Sequence, residues 1–122
     1  MGLAQADPRA AVIDKIKERF TDIRCSRVMQ LINVMANPVR THILCALTMQ
    51  PFTVTELVEI SDSTVSNVSQ QLKMMWMAGY VDKERHGKQI VYRLKDERIS
   101  SLIGYLEGLY PPEVEGCADG EG

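Results

Sequence analysis

Short polar side chains between Ser63 and Lys73 could contact nucleic acid. Asparagine and glutamine amides can pair with adenine edges, serine and threonine hydroxyls can contact bases or phosphates, and lysine can contact phosphate. The candidate contact residues are Ser63, Thr64, Ser66, Asn67, Ser69, Gln70, Gln71 and Lys73. A polar surface helix without a ligand would have the same composition, so the meaning of this segment depends on the elements around it.

A second candidate contact group is the basic segment Arg85-His86-Gly87-Lys88. Bases on a protruding turn can contact the minor groove or a flanking phosphate, which makes Arg85, His86 and Lys88 candidates. The alternative is a solvated hairpin that binds nothing. His86 has no ligand partner nearby in the sequence, so we do not predict that it binds metal.

Three cysteines, Cys25, Cys45 and Cys117, could carry thiol chemistry. They are too few and too scattered for a disulfide framework. Neither Cys-x-x-Cys nor His-x-x-x-His spacing occurs, so the sequence predicts no zinc site and no cofactor. Cys45 lies on an apolar helix, where a small buried core residue is the alternative to a reactive thiol.

Several classes of protein are not expected. The sequence shows no pattern of a nucleophile–base pair, a metal cluster or a phosphate-binding loop, so we do not expect this protein to be an enzyme. No apolar run approaches the roughly 20 residues of a membrane helix. The N-terminus lacks the basic and apolar segments of a signal peptide. We therefore expect a cytoplasmic protein with no membrane contact.

The charge distribution is uneven along the 122 residues. The net charge is −2, but the segment 111–122 carries four acidic residues and no base, which leaves 14 basic against 12 acidic residues in the remainder. Between Thr64 and Lys95, six bases stand against two acids. This local excess is compatible with phosphate contact.

The elements that must position these residues follow from caps and periodicity. Asp7-Pro8 predicts a helix start, and Ile13, Ile16, Phe20 and Ile23 form an apolar stripe at helical spacing. The stripe predicts one long helix, or two helices that meet near Thr21-Asp22. In so small a protein, an apolar stripe on a terminal helix favours contact with a partner chain.

The next helices have equally clear boundaries. Asn37-Pro38 begins a second helix that runs to about Met49, and Thr53 or Thr55 begins a short third helix. Ser61-Asp62-Ser63 predicts a turn. Thr64 caps a fourth helix that ends at Gly79. Its predicted inward residues are Val65, Val68, Leu72, Met75 and Trp76, and Met74 and Met77 are also assigned to core or interface packing.

A β-hairpin and a last helix complete the chain. Strand-forming residues flank a tight turn at His86-Gly87, and Asp96 caps a helix that Pro111-Pro112 ends. The element order predicts an α+β fold, a mostly helical winged helix-turn-helix with one β-hairpin wing. The predicted domains are an N-terminal helical extension at 1–27, the winged helix-turn-helix at 28–110 and an acidic disordered tail at 111–122.

Several blocks in register resemble the ArsR/SmtB family of repressors. The resemblance extends from about Val28 to Tyr110. The blocks are Asn37-Pro38-Val39-Arg40 with Ile43-Leu44, Val54-Thr55-Glu56-Leu57, Val68-Ser69-Gln70-Gln71-Leu72, Ala78-Gly79-Tyr80-Val81, and Gly87-Lys88-Gln89-Ile90-Val91-Tyr92-Arg93-Leu94. The resemblance implies a homodimer built on the first and last helices that binds double-stranded operator DNA and is released by an inducer.

The sequence departs from the metal-sensing members of that family. Their Cys-x-Cys pair would fall on Thr53 and Thr55. Their Asp-x-His and His-x-x-Glu zinc ligands would fall on Asp96, Arg98, Leu109 and Pro112, and of these only Asp96 keeps the ligand type. Both metal sites are therefore absent from the sequence pattern, and Asp96 has a sufficient role as a helix cap.

Cys45 matches one cysteine of the sulfide- and redox-responsive branch of the family. The partner cysteine of that branch would fall near Pro111, and Cys117 lies six residues further on. Cys25 is a second candidate partner. The sequence thus predicts a homodimeric repressor released by an unidentified inducer, with thiol chemistry at Cys45 as one route. A repressor responsive to thiophilic metal or arsenite, and a winged-helix protein-interaction module that does not bind DNA, are the alternatives.

Overall fold

The computed structural model of the protein describes residues 7–110 and residue 112. Cys117 and the predicted tail, apart from Pro112, lie outside the described residues. The described chain divides into two compact units, the first ending at Asn37 and the second beginning at Pro38.

The first unit contains two helices, α1 (Pro8–Phe20) and α2 (Ile23–Met35). Each helix has an aspartate N-cap, because the Asp7 carboxylate accepts from the Arg9 amide at 2.9 Å and the Asp22 carboxylate accepts from the Arg24 amide at 2.8 Å. Such a side chain satisfies an amide that has no partner within the helix. The expectation of two helices meeting at Thr21-Asp22 is confirmed, and the single long helix is excluded.

The second unit contains four helices packed around one apolar core. They are α3 (Pro38–Leu47), α4 (Val54–Ser61), α5 (Val65–Met77) and α6 (Glu97–Leu109). Each contributes a fully buried aliphatic side chain, Leu44, Leu57, Leu72 and Ile99 respectively. Removing each of these side chains from water favours the folded chain by about 1.5–3 kcal/mol.

The sheet has three strands, β1 (Phe52–Thr53), β2 (Val81–His86) and β3 (Gln89–Leu94), in the order β1-β3-β2. The sequence predicted only the hairpin and missed β1, whose Phe52 pairs with Tyr92 of β3. The turn also lies one residue later than predicted, because His86 is paired with Gln89 and the two turn residues are Gly87 and Lys88. Gly87 has a φ of +66°, which suits a glycine at the first position of a two-residue hairpin turn.

The inner face of α5 is narrower than predicted. Val68, Leu72 and Met75 are buried as expected. Val65 and Trp76 were predicted to point inward, but their side chains are 61% and 41% exposed. Positions 68, 72 and 75 recur at helical spacing and share one stripe, and the other two positions lie beside it. The Trp76 ring instead lies 4.2 Å below the Lys83 ammonium of β2, which is a cation–π contact.

The helix-turn-helix pair is defined by caps at both sides of its turn. Thr53 and Glu56 form a reciprocal capping box at the start of α4. The helix ends at Asp62, whose backbone is left-handed with a φ of 54°. The Thr64 hydroxyl then accepts from the Asn67 amide at 3.0 Å and begins α5. These local contacts fix the direction in which α5 leaves the turn.

Replacing Thr53 by alanine is expected to lower the free energy of unfolding by about 1 kcal/mol, because the Glu56 amide loses its partner. The measurement is chemical denaturation monitored by circular dichroism. Thr55 is the matched control, since it is exposed and lies outside the capping box. Equal losses for Thr53→Ala and Thr55→Ala would contradict the assignment of Thr53 as the cap.

Candidate nucleic-acid interface

The outer face of α5 carries most of the predicted contact residues. Five of the eight candidates are exposed, namely Thr64, Ser66, Ser69, Gln70 and Lys73. The other three, Ser63, Asn67 and Gln71, are half-buried. The buried residues Val68, Leu72 and Met75 hold the opposite face of the helix against the core. The helix is therefore anchored on one side, and the exposed polar candidates lie away from that side.

The three half-buried candidates are joined in one chain of hydrogen bonds. The Asn67 amide nitrogen donates to the Ser63 hydroxyl at 2.9 Å, and the Gln71 amide nitrogen donates to the Asn67 carbonyl oxygen at 3.2 Å. Arg40 of α3 donates to the Gln71 carbonyl oxygen at 2.9 Å. Arg40 was not among the predicted site residues, because its partner lies 31 positions away in the sequence.

The hairpin brings the second group of candidates to its tip. Arg85 and Lys88 are exposed, and within the described residues they make no ion pair with an acid. His86 is different, because its Nε2 atom lies 3.3 Å from a Glu84 carboxylate oxygen, and Arg93 also contacts that carboxylate. Glu84 was missed in the sequence, where nothing distinguished it from other surface acids.

Cys45 lies half-buried on α3, beside a groove of about 670 Å³. The groove is lined by the apolar side chains of Ala46, Met49, Phe52 and Ile60, by the polar side chains of His42 and Thr48, and by Glu107 of α6. Burial raises the pKa of the Cys45 thiol, and the Glu107 carboxylate raises that pKa further. The reduced thiol is therefore held in its neutral form.

Cys25, by contrast, belongs to the first unit. It is half-buried in the first turn of α2, beside a separate pocket of about 400 Å³ between α1 and α2. Cys117 lies outside the described residues. The partner of Cys45 predicted from the sequence therefore stays a prediction.

Asp96, the one residue that keeps the ligand type of the family's zinc pattern, is hydrogen-bonded to Arg98. The Asp96 carboxylate accepts from the Arg98 amide at 3.0 Å and from the Arg98 guanidinium at 2.9 and 2.6 Å. These bonds from Arg98 hold the pKa of Asp96 below its usual value. Among residues 7–110 and 112, no three His, Cys, Asp or Glu side chains come together in a group that could hold a metal ion.

Both the sequence and the fold of this chain have known relatives. Residues 37–83 match the family described as bacterial regulatory protein, arsR family. Over 87 residues the chain is 36% identical to the biofilm growth-associated repressor of Agrobacterium fabrum. The aligned segment covers 71% of this chain and 74% of that protein. The chain belongs to the ArsR family. The resemblance to the ArsR/SmtB family of winged helix-turn-helix repressors that the sequence predicted is confirmed.

Two further comparisons support the same family. The chain is 35% identical over 83 residues to the transcriptional regulator YgaV of Escherichia coli, covering 67% of this chain and 84% of that protein. The crystal structure of the transcriptional repressor BigR from Xylella fastidiosa has a TM-score of 0.71 at 28% identity, covering 79% of this chain and 98% of that one.

Membership of the family decides the class of protein. This ArsR-family chain is a DNA-binding transcriptional repressor and not an enzyme, as the sequence predicted. In the winged helix-turn-helix, α4 and α5 are the helix-turn-helix pair, and β2 and β3 form the wing. No helix of the described chain is both long enough and apolar enough to cross a membrane.

Proposed function

We propose that this ArsR-family repressor binds duplex operator DNA as a homodimer and releases it when an inducer acts. One observation supports the proposed mode of DNA binding. Ser66, Ser69 and Gln70 form an exposed polar row on a helix anchored from its opposite face. Within the described residues, their side chains make no hydrogen bond to the protein, so they can contact base edges in the major groove.

The wing and the end of the recognition helix supply positive charge beside this row. Lys73 lies on α5, and Arg85 and Lys88 lie at the hairpin tip. In the proposed complex these side chains contact phosphates, which fix the register of the protein on the duplex without reading its sequence. His86 remains a candidate, although its contact with Glu84 must be exchanged for a DNA contact.

A homodimer gives the complex its symmetry. The proposed interface includes α1 and α6, whose exposed apolar residues include Phe20 on α1 and Leu109 on α6. Two recognition helices would then enter successive major grooves about 34 Å apart, on a near-palindromic operator. The division of the chain at 1–27, 28–110 and 111–122 and its cytoplasmic location also stay predictions.

The inducer is proposed to act on the Cys45 groove. An oxidant or sulfur donor would modify the thiol covalently, with Cys117 or Cys25 as candidate partners. A thiophilic metal or arsenite is the second candidate class, because it would also bind sulfur. An inducer shifts DNA affinity by the free energy that couples the two sites, typically about 1–3 kcal/mol.

The DNA-binding mode is tested by the affinity for duplex DNA at several salt concentrations. The probe is a duplex selected by the wild-type protein from a random-sequence library, and the reference is the unselected library. Tighter binding to the selected duplex, weakening steeply with salt, is expected. A winged-helix module that binds only protein would show no preference between the two probes.

Lys88→Ala is expected to weaken binding to both probes alike and to lower the slope of log K against log salt by about one, since one phosphate contact is lost. Lys95→Ala is the matched control, because Lys95 is exposed but lies just past the opposite end of β3. Its slope should stay at the wild-type value. A changed base preference for Lys88→Ala would contradict the phosphate role.

A further inference from the structure

The hydrogen-bond chain on α5 has a direction that its chemistry imposes. An arginine side chain carries only donors, so the Gln71 amide must turn its oxygen toward Arg40. The Gln71 nitrogen then faces the Asn67 oxygen, and the Asn67 nitrogen faces the Ser63 hydroxyl. The orientation of each amide is therefore set by its partner on the Arg40 side of the hydrogen-bonded series.

These hydrogen bonds link the turn before α5, α5 itself and α3. Ser63 lies in the turn before α5, and Asn67 and Gln71 follow it at intervals of four positions along one flank of the helix. Arg40 comes from α3, so the bond to Gln71 joins two helices across the fold. The series ends on the Ser63 hydroxyl, which accepts from Asn67 and still has its own hydrogen to donate.

We propose that Arg40, Gln71 and Asn67 are positioning residues for DNA recognition, and that base reading is left to Ser66, Ser69 and Gln70. The amide oxygen and nitrogen of Asn67 and Gln71 both face protein partners. Each amide keeps a second hydrogen and a second lone pair, but bidentate pairing with an adenine would have to use them in the orientation that the protein partners set, or break these bonds. This proposal rests on the proposed DNA-binding mode of α5.

The contrast between Gln70 and Gln71 gives a test with a built-in control. The two residues share a side chain and are neighbours, but Gln70 is exposed and unbonded within the described residues, whereas Gln71 lies in the chain. Library selection should give an altered base preference for Gln70→Leu. It should return the wild-type sequence for Gln71→Leu, with affinity lower by about tenfold. An altered preference for Gln71→Leu or Asn67→Ala would overturn the proposal.

Arg40 is tested by a double-mutant cycle with Gln71. Arg40→Met should weaken binding to the selected duplex by about tenfold with an unchanged salt slope, and by a clearly smaller factor in the Gln71→Leu background. Arg40→Lys keeps a cationic donor group and should retain most of the affinity. Additive losses, with a salt slope lower by about one in both backgrounds, would show that Arg40 contacts phosphate directly and would overturn the positioning role.

The cycle can also be measured without DNA. The unfolding midpoints of Arg40→Met, Gln71→Leu and the double variant should be non-additive, because both single changes break the same bond. Additive midpoints would overturn the contact itself. If the wild-type protein fails to prefer the selected duplex, the DNA-binding mode fails. If it binds as expected but both cycles are additive, only the positioning role fails.

Discussion

Replacing both Phe20 and Ile23 by glutamate is expected to leave the protein monomeric. Their side chains are 66% and 67% exposed at the end of α1 and the start of α2, where an unpartnered apolar surface is unfavourable. Burial of each such side chain contributes about 1.5–3 kcal/mol, and a two-fold interface uses each residue twice. The loss across the dimer is therefore at least about 6 kcal/mol, or roughly four powers of ten or more in the dissociation constant.

The measurement is sedimentation velocity over a range of protein concentrations, followed by titration with the selected duplex. DNA affinity should fall together with the dimer, because a monomer offers only one recognition helix to the operator. The control replaces Ala11 and Lys15 by glutamate, since helical spacing puts both on the side of α1 away from Phe20. If Phe20→Glu with Ile23→Glu sediments as the wild-type dimer, α1 does not form the interface.

The helix boundaries were predictable because capping is local. Asp7, Thr64 and Asp96 were each predicted as N-caps, and each accepts from an amide two or three residues ahead. Such a contact is encoded within one turn of sequence. Strand β1 was missed for the opposite reason, because two residues show no periodicity and its pairing partner Tyr92 lies 40 residues further on. Its existence depends on β3 being in place.

The recognition helix was predictable as a segment but not residue by residue. Ser66 and Asn67 are both short polar residues, and Gln70 and Gln71 are the same residue at neighbouring positions. What separates Gln71 from Gln70 is a bond to Arg40 of another helix. A sequence pattern cannot assign that bond, because it depends on how α3 packs against α5. The Glu84 contact with His86 at the wing is missed for a similar reason, since it depends on the strand geometry.

The protonation state of the Cys45 thiol makes its reactivity depend on pH. Burial and the Glu107 carboxylate raise its pKa above the usual value of 9.0, so little thiolate exists near neutral pH. The thiolate is the reactive form, and alkylation should therefore be slow at pH 7 and should accelerate as the pH rises toward the raised pKa. In unfolded protein the same thiol should react faster at neutral pH.

The same shift predicts a loss of stability in base. Between the usual and the raised pKa, the folded chain holds a proton on Cys45 that the unfolded chain has released, so the free energy of unfolding falls as pH rises through that window. Cys45→Ala should show a shallower fall. Tyr92, whose pKa is also raised by burial, contributes in the same direction and remains in both proteins, so the difference between them reports Cys45.

Alkylation of Cys45 with a maleimide is expected to release the DNA. The adduct must fit into a groove formed by α3, β1, α4 and α6, and α3 also carries the Arg40 that holds Gln71 of the recognition helix. A displacement of α3 or α4 therefore reaches α5 directly. The expected loss of affinity for the selected duplex is about 5- to 150-fold, the usual range for coupling between two sites.

The experiment compares wild type, Cys45→Ser and Cys25→Ser before and after treatment, with peptide mapping to locate the adduct. Cys45→Ser should keep its DNA affinity in the presence of the reagent, whereas Cys25→Ser should lose affinity as the wild type does. Cys25 is the matched control because it is also half-buried on a helix but lies in the first unit. Titration with an oxidant, a sulfur donor and arsenite then asks which class produces the same release. Release of Cys45→Ser by every reagent that releases the wild type would assign Cys45 to the core and the sensing role elsewhere.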